Sequence, residues 1–110
     1  FEYYQKEDGI NNLFKEIEKI NKMINLNNFN VDFLILPYEY QVRNKCNKDF
    51  LQPQDVLMNI LIRNKLNYIN LTKSFCDYSG SKKLYLNFDP VHLSPDGHNL
   101  VYSQIKQKIR

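Results

Sequence analysis

Two ionisable side chains stand three residues apart near the end of the sequence, at Asp89 and His92. In a turn, residues i and i+3 can project to the same side. The Asp carboxylate could then accept the proton of His Nδ1 and leave Nε2 free as a general base. Pro90 fixes its own φ and restricts the backbone of Asp89, which lowers the entropy lost on holding the two side chains together. The spacing therefore predicts an acid–base pair that could activate a nucleophile.

A strong helix-start signal follows this pair. Ser94 can cap the helix, Pro95 suits its first position, and Asp96 complements the positive end of the helix dipole. Apolar residues recur at steps of four on one face and basic residues favour the last turn: Val101, Ile105 and Ile109, then Lys106, Lys108 and Arg110. The pattern predicts a final helix that begins at Pro95, with Asp89 and His92 in the loop before it.

The stretch Asp-Pro-Val-His-Leu-Ser-Pro-Asp-Gly-His at residues 89–98 resembles the last motif of the GDSL-type esterases and lipases, also called SGNH hydrolases. In that family, Asp-x-x-His precedes the helix that ends the domain. The apolar run ending at Leu36-Pro37 and the segment 68–72 resemble later strands of the family's flavodoxin-like fold. The resemblance implies that Asp89 and His92 are two members of a Ser-His-Asp triad, which needs neither a metal nor an organic cofactor.

The family's nucleophile block is missing from these 110 residues. In the family, the serine lies in a Gly-Asp-Ser block after the first strand, and Gly and Asn from two further blocks complete the oxyanion hole. The glycines and serines present all lie in other contexts: Gly9, Gly80, Gly97, Ser74, Ser79, Ser81, Ser94 and Ser103. The resemblance thus implies that residues 1–110 are the carboxyl-terminal portion of one SGNH hydrolase-like domain, and a first residue of Phe rather than Met suggests processing or truncation.

We therefore expect a serine ester hydrolase that cleaves acyl or acetyl esters, with this chain supplying Asp89 and His92. The partners expected are a small-molecule or glycan ester and the upstream part of the same domain, and the isolated 110 residues should be nearly inactive. The alternative is a non-catalytic, degenerate SGNH-like module that binds a carbohydrate or a protein. A Gly-Asp-Ser block upstream would favour the enzyme, and its absence would favour the binding module.

Other roles for these residues remain open at this stage. His92 could simply bond to the adjacent helix while Asp89 satisfies backbone donors. Asp89, His92, Asp96 and His98 are four possible metal ligands within ten residues, although dipole stabilisation explains Asp96 and packing explains His98. Cys76 could act as a nucleophile with His92, but nothing around it suggests a lowered thiol pKa, which favours core packing.

Upstream, the hydrophobic pattern alternates between helices and strands. It predicts a helix over 10–26, a strand buried on both faces over 31–36, an irregular loop or helix over 38–52, a helix opened by Pro53, and a strand over 67–72. A turn over 79–83 and an extended approach over 84–88 lead to the final helix. In the second helix, Gln54 is expected to face water.

This order predicts an α/β fold with parallel strands joined by crossover helices. The resemblance implies a three-layer, flavodoxin-like sheet that is incomplete here, with neighbours of the 31–36 strand upstream. Tyr38, Tyr40 and Gln41 follow that strand, where ligands bind in open α/β sheets, so they line a substrate cleft or cover the sheet edge.

The amino-acid composition limits the class of protein and the kinds of partner that can be expected. The 110 residues carry a formal charge of +3 and are 43% hydrophobic, with eight Tyr and seven Phe, which suits one folded domain rather than a disordered tail. Basic residues are scattered rather than clustered, so no nucleic-acid partner is expected, and no apolar stretch reaches the ~18 residues of a membrane span. Cys46 and Cys76 form no CxxC motif and read most simply as free thiols, but a disulfide and the compartment remain open.

Overall fold

The structure of the protein is a computed structural model that describes residues 7–78 and 83–108. It is mixed α/β with a two-stranded parallel sheet, which confirms the predicted α/β class. The elements in order are α1 (Glu7–Asn27), β1 (Asp32–Ile35), α2 (Glu39–Arg43), a 3-10 turn (Lys48–Phe50), α3 (Gln52–Arg63), β2 (Asn67–Asn70), α4 (Thr72–Cys76) and α5 (Pro95–Lys108). Most of the turn predicted over 79–83, together with Ile109 and Arg110 of the final helix, lies outside the described residues.

The chain divides into two compact units, and the first comprises residues up to 35 together with 48–69. Its core is a cluster of four buried aliphatic side chains: Ile17, Ile35, Ile60 and Leu61. The helices predicted from spacing are present as α1 and α3, and they pack against each other. They form because apolar residues recur at steps of three and four, so that one stripe of each helix can leave water.

β1 is not buried on both faces, and that prediction was wrong. Ile35 lies in the core, whereas Leu34 is 38% exposed and Asp32 is exposed. Successive side chains of a strand alternate between faces. The packing of Ile35 in the cluster with α1 and α3 residues covers one face, and the described residues leave Leu34 on the other face partly open to solvent.

Two local predictions about α3 and β2 also need correction. Gln54 was expected to face water but is only 5% exposed, in the first turn of a helix that the 3-10 turn contacts. The second strand was expected to reach Thr72 but ends at Asn70, whose Oδ1 accepts the Thr72 N–H at 3.0 Å. This side-chain bond turns the chain into α4, because Asn competes with ladder bonding for nearby backbone groups.

The second unit comprises 36–47 and the described residues from Asn70 onward. The irregular segment predicted over 38–52 contains α2 and the 3-10 turn, and α2 packs on α4 within this unit. Cys46 and Cys76 form a disulfide with a Cα–Cα distance of 5.8 Å, so the interpretation as free thiols was wrong. The bond joins segments 30 residues apart, which spacing alone could not reveal.

Buried aromatic and aliphatic side chains form the interior of the second unit. Leu71 and Phe75 are fully buried, and the Phe75 and Tyr85 rings lie 6.1 Å apart at 60°. The Tyr85 hydroxyl donates to the Pro37 carbonyl at 2.6 Å, which satisfies its polar end inside the unit. Over the part of the chain that the structure describes, no helix is long and apolar enough to cross a membrane.

Candidate functional site

The Asp89–His92 pair lies in a loop whose two ends are joined, here called the 84–94 loop. The Leu86 N–H donates to the His92 carbonyl at 3.0 Å, and the Ser94 N–H donates to the Leu84 carbonyl at 3.0 Å. The predicted extended approach over 84–88 is thus a single antiparallel bridge followed by a turn. Backbone bonding at both ends limits the conformations open to Asp89 and His92.

Asp89 makes the contact that its spacing predicts, and it also organises the backbone. Its Oδ1 accepts the N–H groups of Val91 at 3.0 Å and His92 at 2.9 Å. Its Oδ2 lies 2.7 Å from His92 Nδ1. The backbone N–H of His92, followed by that of Val91, holds the pKa of Asp89 below its ordinary value, and the His92 ring adds to the effect. Asp89 is therefore ionised near neutral pH.

His92 is oriented but open to solvent. Its side chain is 74% exposed, whereas that of Asp89 is 28% exposed. An ionised carboxylate at Nδ1 favours the tautomer with its proton on Nδ1 and a lone pair on Nε2. Nε2 makes no hydrogen bond within residues 7–78 and 83–108, so it is available to take a proton from an incoming group.

The lowered pKa of Asp89 predicts a pH dependence of stability. A carboxyl whose pKa is lower in the folded protein contributes stability that is present above its ordinary pKa of 3.8 and is lost as the pH falls through its folded pKa. We expect the difference in urea midpoint between the native protein and Asp89→Asn to be constant near neutral pH and to shrink below about pH 3.8. A difference that does not change between neutral and acidic pH would contradict this assignment.

Ser94 caps α5 as predicted, and it also reaches back to the loop. Its Oγ accepts the Gly97 N–H at 3.1 Å and donates to the Lys83 carbonyl at 2.6 Å. One hydroxyl thus ties the first turn of α5 to the start of the 84–94 loop.

Replacing Ser94 with alanine should lower the free energy of unfolding by about 1–2 kcal/mol, because the cap and one further hydrogen bond are lost. Urea denaturation of the native protein and the variant would measure this difference in the free energy of unfolding. Ser103→Ala is the matched control, since Ser103 Oγ donates to the Leu100 carbonyl at 2.8 Å inside the same helix. Equal losses for the two variants would show that Ser94 has no special role.

Gly97 allows α5 to approach the loop closely. A Cβ at this position would collide with the Leu84 carbonyl oxygen and would lie 3.0 Å from Leu93 Cβ. The first turn of α5 therefore rests directly on the joined ends of the 84–94 loop. Ser94 and Gly97 beyond His92 position the loop, and Asp89 and His92 carry the groups that could do chemistry.

Phe88, directly before Asp89, is a strained residue that sequence patterns did not reveal. Its φ is 58° and its side chain is fully exposed. It belongs to a turn in which the Asp89 N–H donates to the Leu86 carbonyl at 3.2 Å. A bulky residue in the left-handed region costs about 1–3 kcal/mol and tends to mark functional sites. Only the structure reveals it, because turn signals in sequences rely on Gly, Asn or Asp at such positions.

A groove of about 540 Å³ lies beside Asp89, within the second unit. α2 contributes Glu39, Val42 and Arg43 to its lining, and α4 contributes Phe75. Tyr78, just after α4, and residues 83–90 complete the lining. The Glu39 N–H donates to the Pro90 carbonyl at 2.9 Å, which connects α2 to the loop. Burial, with a smaller effect of the Glu39 carboxylate, raises the pKa of Tyr85 well above its ordinary value, so this phenol stays protonated.

Tyr38, Tyr40 and Gln41, for which the sequence left open a substrate cleft or a cover over the sheet edge, do not line this groove. Gln41 is fully buried, and its Oε1 accepts the Tyr38 N–H at 2.7 Å, so it stabilises the start of α2. The Tyr38 and Tyr40 rings stack on each other with centroids 6.3 Å apart. The groove is lined instead by the α2 face that carries Glu39, Val42 and Arg43, because the helix turns successive residues in different directions.

The structure also bears on the two competing chemistries. Cys76 is bonded to Cys46, so it offers no thiolate to pair with His92. Within the described ranges, no group of three or more His, Cys, Asp or Glu side chains is gathered so as to hold a metal ion. Asp89, His92, Asp96 and His98 are therefore close in sequence without forming a ligand set.

No protein-family model matches the chain, and no curated protein or solved structure matches it either.

Proposed function

We propose that the chain is the carboxyl-terminal portion of a serine ester hydrolase of the SGNH type, with a three-layer flavodoxin-like sheet completed by upstream residues. Asp89 and His92 would be the Asp and His of the triad. The observation that carries the proposal is the 2.7 Å contact between Asp89 Oδ2 and His92 Nδ1, made while Nε2 has no partner among the described residues. An oriented imidazole of this kind is what a weak hydroxyl nucleophile requires.

The chemistry follows from the proton positions. As an upstream serine Oγ attacks the ester carbonyl, His92 Nε2 takes its proton, and the Asp89 carboxylate stabilises the resulting imidazolium. The tetrahedral intermediate collapses as the C–O bond to the alcohol breaks, and Nε2 gives the proton to the departing alkoxide. Water then attacks the acyl-serine, again losing a proton to Nε2, and the carboxylic acid leaves as serine regains its proton.

The fold supports an incomplete sheet. β1 and β2 are parallel and are joined through α3, the connection found in doubly wound α/β proteins. Core packing covers the Ile35 face of β1, while Leu34 on the other face stays 38% exposed. Further strands and helices from upstream would give such a sheet the two covered faces that parallel sheets normally have.

The competing candidate is a non-catalytic module that binds a carbohydrate or a protein through the groove. It is favoured by the groove, which lies in the described part of the chain, whereas a nucleophile block does not occur in these 110 residues. In that case the Asp89–His92 contact would serve only to hold the loop. The nucleophile decides between the candidates.

The experiment is to read the coding sequence upstream of Phe1, express the complete chain, and test labelling by a fluorophosphonate and hydrolysis of p-nitrophenyl acetate. We expect a Gly-Asp-Ser block whose serine is labelled, and little activity from the 110 residues alone, since loss of even one oxyanion donor costs about 10²–10³-fold in rate. Absence of the block would favour the binding module. Hydrolysis by the 110 residues that survives His92→Ala would overturn the triad assignment.

A further inference from the structure

We propose that Gln41 and Tyr85 are positioning residues for the Asp89–His92 pair, and that they act on it through the backbone N–H of Glu39. Their place in a catalytic apparatus rests on the proposed hydrolase function. Their effect on the His92 ring, however, can be measured without catalysis.

The contact between Asp89 and His92 needs support from the backbone. The His92 side chain is 74% exposed and that of Asp89 is 28% exposed. Pairs of this kind that remain open to solvent contribute little and hold their geometry weakly. The orientation of the imidazole therefore depends on what fixes the backbone of residues 89–92.

The peptide group between Pro90 and Val91 is held at both of its ends. Its carbonyl accepts the Glu39 N–H at 2.9 Å, and its N–H donates to Asp89 Oδ1 at 3.0 Å. Rotation of this peptide would break both hydrogen bonds at once. The Glu39 N–H thus fixes, from outside the 84–94 loop, a group that in turn fixes the Asp89 carboxylate.

A second peptide group, between Pro37 and Tyr38, is held in the same way. Its carbonyl accepts the Tyr85 hydroxyl at 2.6 Å, and its N–H donates to Gln41 Oε1 at 2.7 Å. The next N–H along the chain is that of Glu39. Gln41 and Tyr85 therefore set the direction in which the Glu39 N–H points toward the loop.

Burial makes these two side-chain bonds strong. Gln41 is fully buried and Tyr85 is only 6% exposed, so water does not compete for either bond. A buried amide is unusual for glutamine, and a buried polar group that loses its partner is costly. Burial also keeps the Tyr85 phenol protonated, so it remains a donor. Loss of either side-chain bond should shift the peptide that both of them hold.

The test is ¹⁵N NMR of the histidine side chains at about pH 9, well above the ordinary histidine pKa. The measured quantity is the ratio of the Nδ1–H to the Nε2–H form of His92, here called the tautomer ratio. We expect Tyr85→Phe and Gln41→Met each to lower it by about threefold, as the carboxylate contact at Nδ1 weakens. Tyr85→Phe keeps the ring that lies 6.1 Å from that of Phe75, so the unit should stay folded.

Glu39→Pro tests the connecting hydrogen bond directly, because proline has no N–H. Proline suits this position, since Glu39 is the first residue of α2 and proline is favoured at the start of a helix. Tyr38 already has the extended backbone that is favoured before proline, with φ −80° and ψ 157°. We expect the tautomer ratio to fall by about threefold here as well.

Two control variants separate positioning from a general loss of stability. Glu39→Ala removes the carboxylate but keeps the N–H, so it should leave the tautomer ratio unchanged. Ser74→Ala removes a hydrogen bond of the same unit, from Ser74 Oγ to Gln104 Oε1 at 3.1 Å, and should also leave it unchanged. His98 is the other histidine of the chain and is an internal reference. A native ratio in Tyr85→Phe and Gln41→Met, or an equal fall in Ser74→Ala, would overturn the inference.

Failure of this inference is distinguishable from failure of the proposed function. In the complete chain, Tyr85→Phe and Gln41→Met should lower kcat by about tenfold and change KM little, because they misplace the base. A complete chain that hydrolyses no ester, with a tautomer ratio that still falls in the variants, would refute the hydrolase and retain the positioning roles. Ester hydrolysis with native kcat and native ratio in both variants would retain the hydrolase and refute those roles.

Discussion

Replacing His92 with alanine in the complete chain is expected to lower kcat/KM for ester hydrolysis by at least about 10⁴-fold. The reason is that His92 Nε2 accepts the proton of the nucleophile and then donates it to the leaving alcohol. No other side chain in the described part of the chain is assigned this role. Stability should change little, because the side chain is 74% exposed. Steady-state kinetics and a thermal melt on the same variant would measure both effects.

Asp89→Asn tests the role of the Asp89 carboxylate more specifically, because it changes the charge and keeps the shape of the side chain. The amide oxygen can still accept the N–H groups of Val91 and His92, so the loop should remain folded. The amide NH₂, however, would face Nδ1 and favour the imidazole tautomer with its lone pair there, which would remove the base from Nε2. We expect a loss in kcat of about 10⁴-fold. His98→Ala, an exposed histidine on α5, is the control and should keep full activity. Comparable losses at His98 and His92 would refute the assigned roles.

Loss of the Cys46–Cys76 disulfide is expected to lower the free energy of unfolding by about 3–4 kcal/mol. The bond closes a loop between residues 30 apart, and the chain-entropy model gives this magnitude for a loop of that length. For a domain of this size the corresponding fall in Tm exceeds about 10 °C. Thermal melts of the oxidised protein, with and without a reductant, would measure the difference.

The double variant Cys46→Ser with Cys76→Ser is the control for the reductant. It should melt near the reduced native protein and should not respond to reductant. A native protein that melts at the same temperature with and without reductant would refute a stabilising disulfide. The expected result implies that the protein reaches its full stability in an oxidising compartment, where such bonds persist.

The predictions that the structure confirmed depend on local patterns. The periodicity of α1 and α3 and the cap at Ser94 involve residues within a few positions of one another, so the chain itself encodes them. The exposed face of β1 and the burial of Gln54 were mispredicted because they depend on which other segments cover them. The sequence left the disulfide open for the same reason, since spacing carries no information on the distance between Cα atoms.

In the candidate site, too, the local contact was predictable from the sequence and the features formed by distant segments were not. The contact between Asp89 and His92 was predictable because three residues in a turn bring both side chains to one side. The groove was not, because α2, α4 and the 84–94 loop contribute to it from distant parts of the sequence. Phe88 was missed because its strain comes from a turn whose sequence lacks the glycine normally expected there.

The tight packing of Gly97 on Leu84 has a consequence for the variation that this loop tolerates. In a library of single substitutions sorted only for resistance to proteolysis, Gly97 should be depleted like a core position, whereas the exposed His92 should accept most residues. Sorting the same library, made in the complete chain with its proposed upstream serine, by reaction with a fluorophosphonate would restrict His92 as well. Positions restricted only in the second selection would locate the chemistry without knowledge of the natural ester.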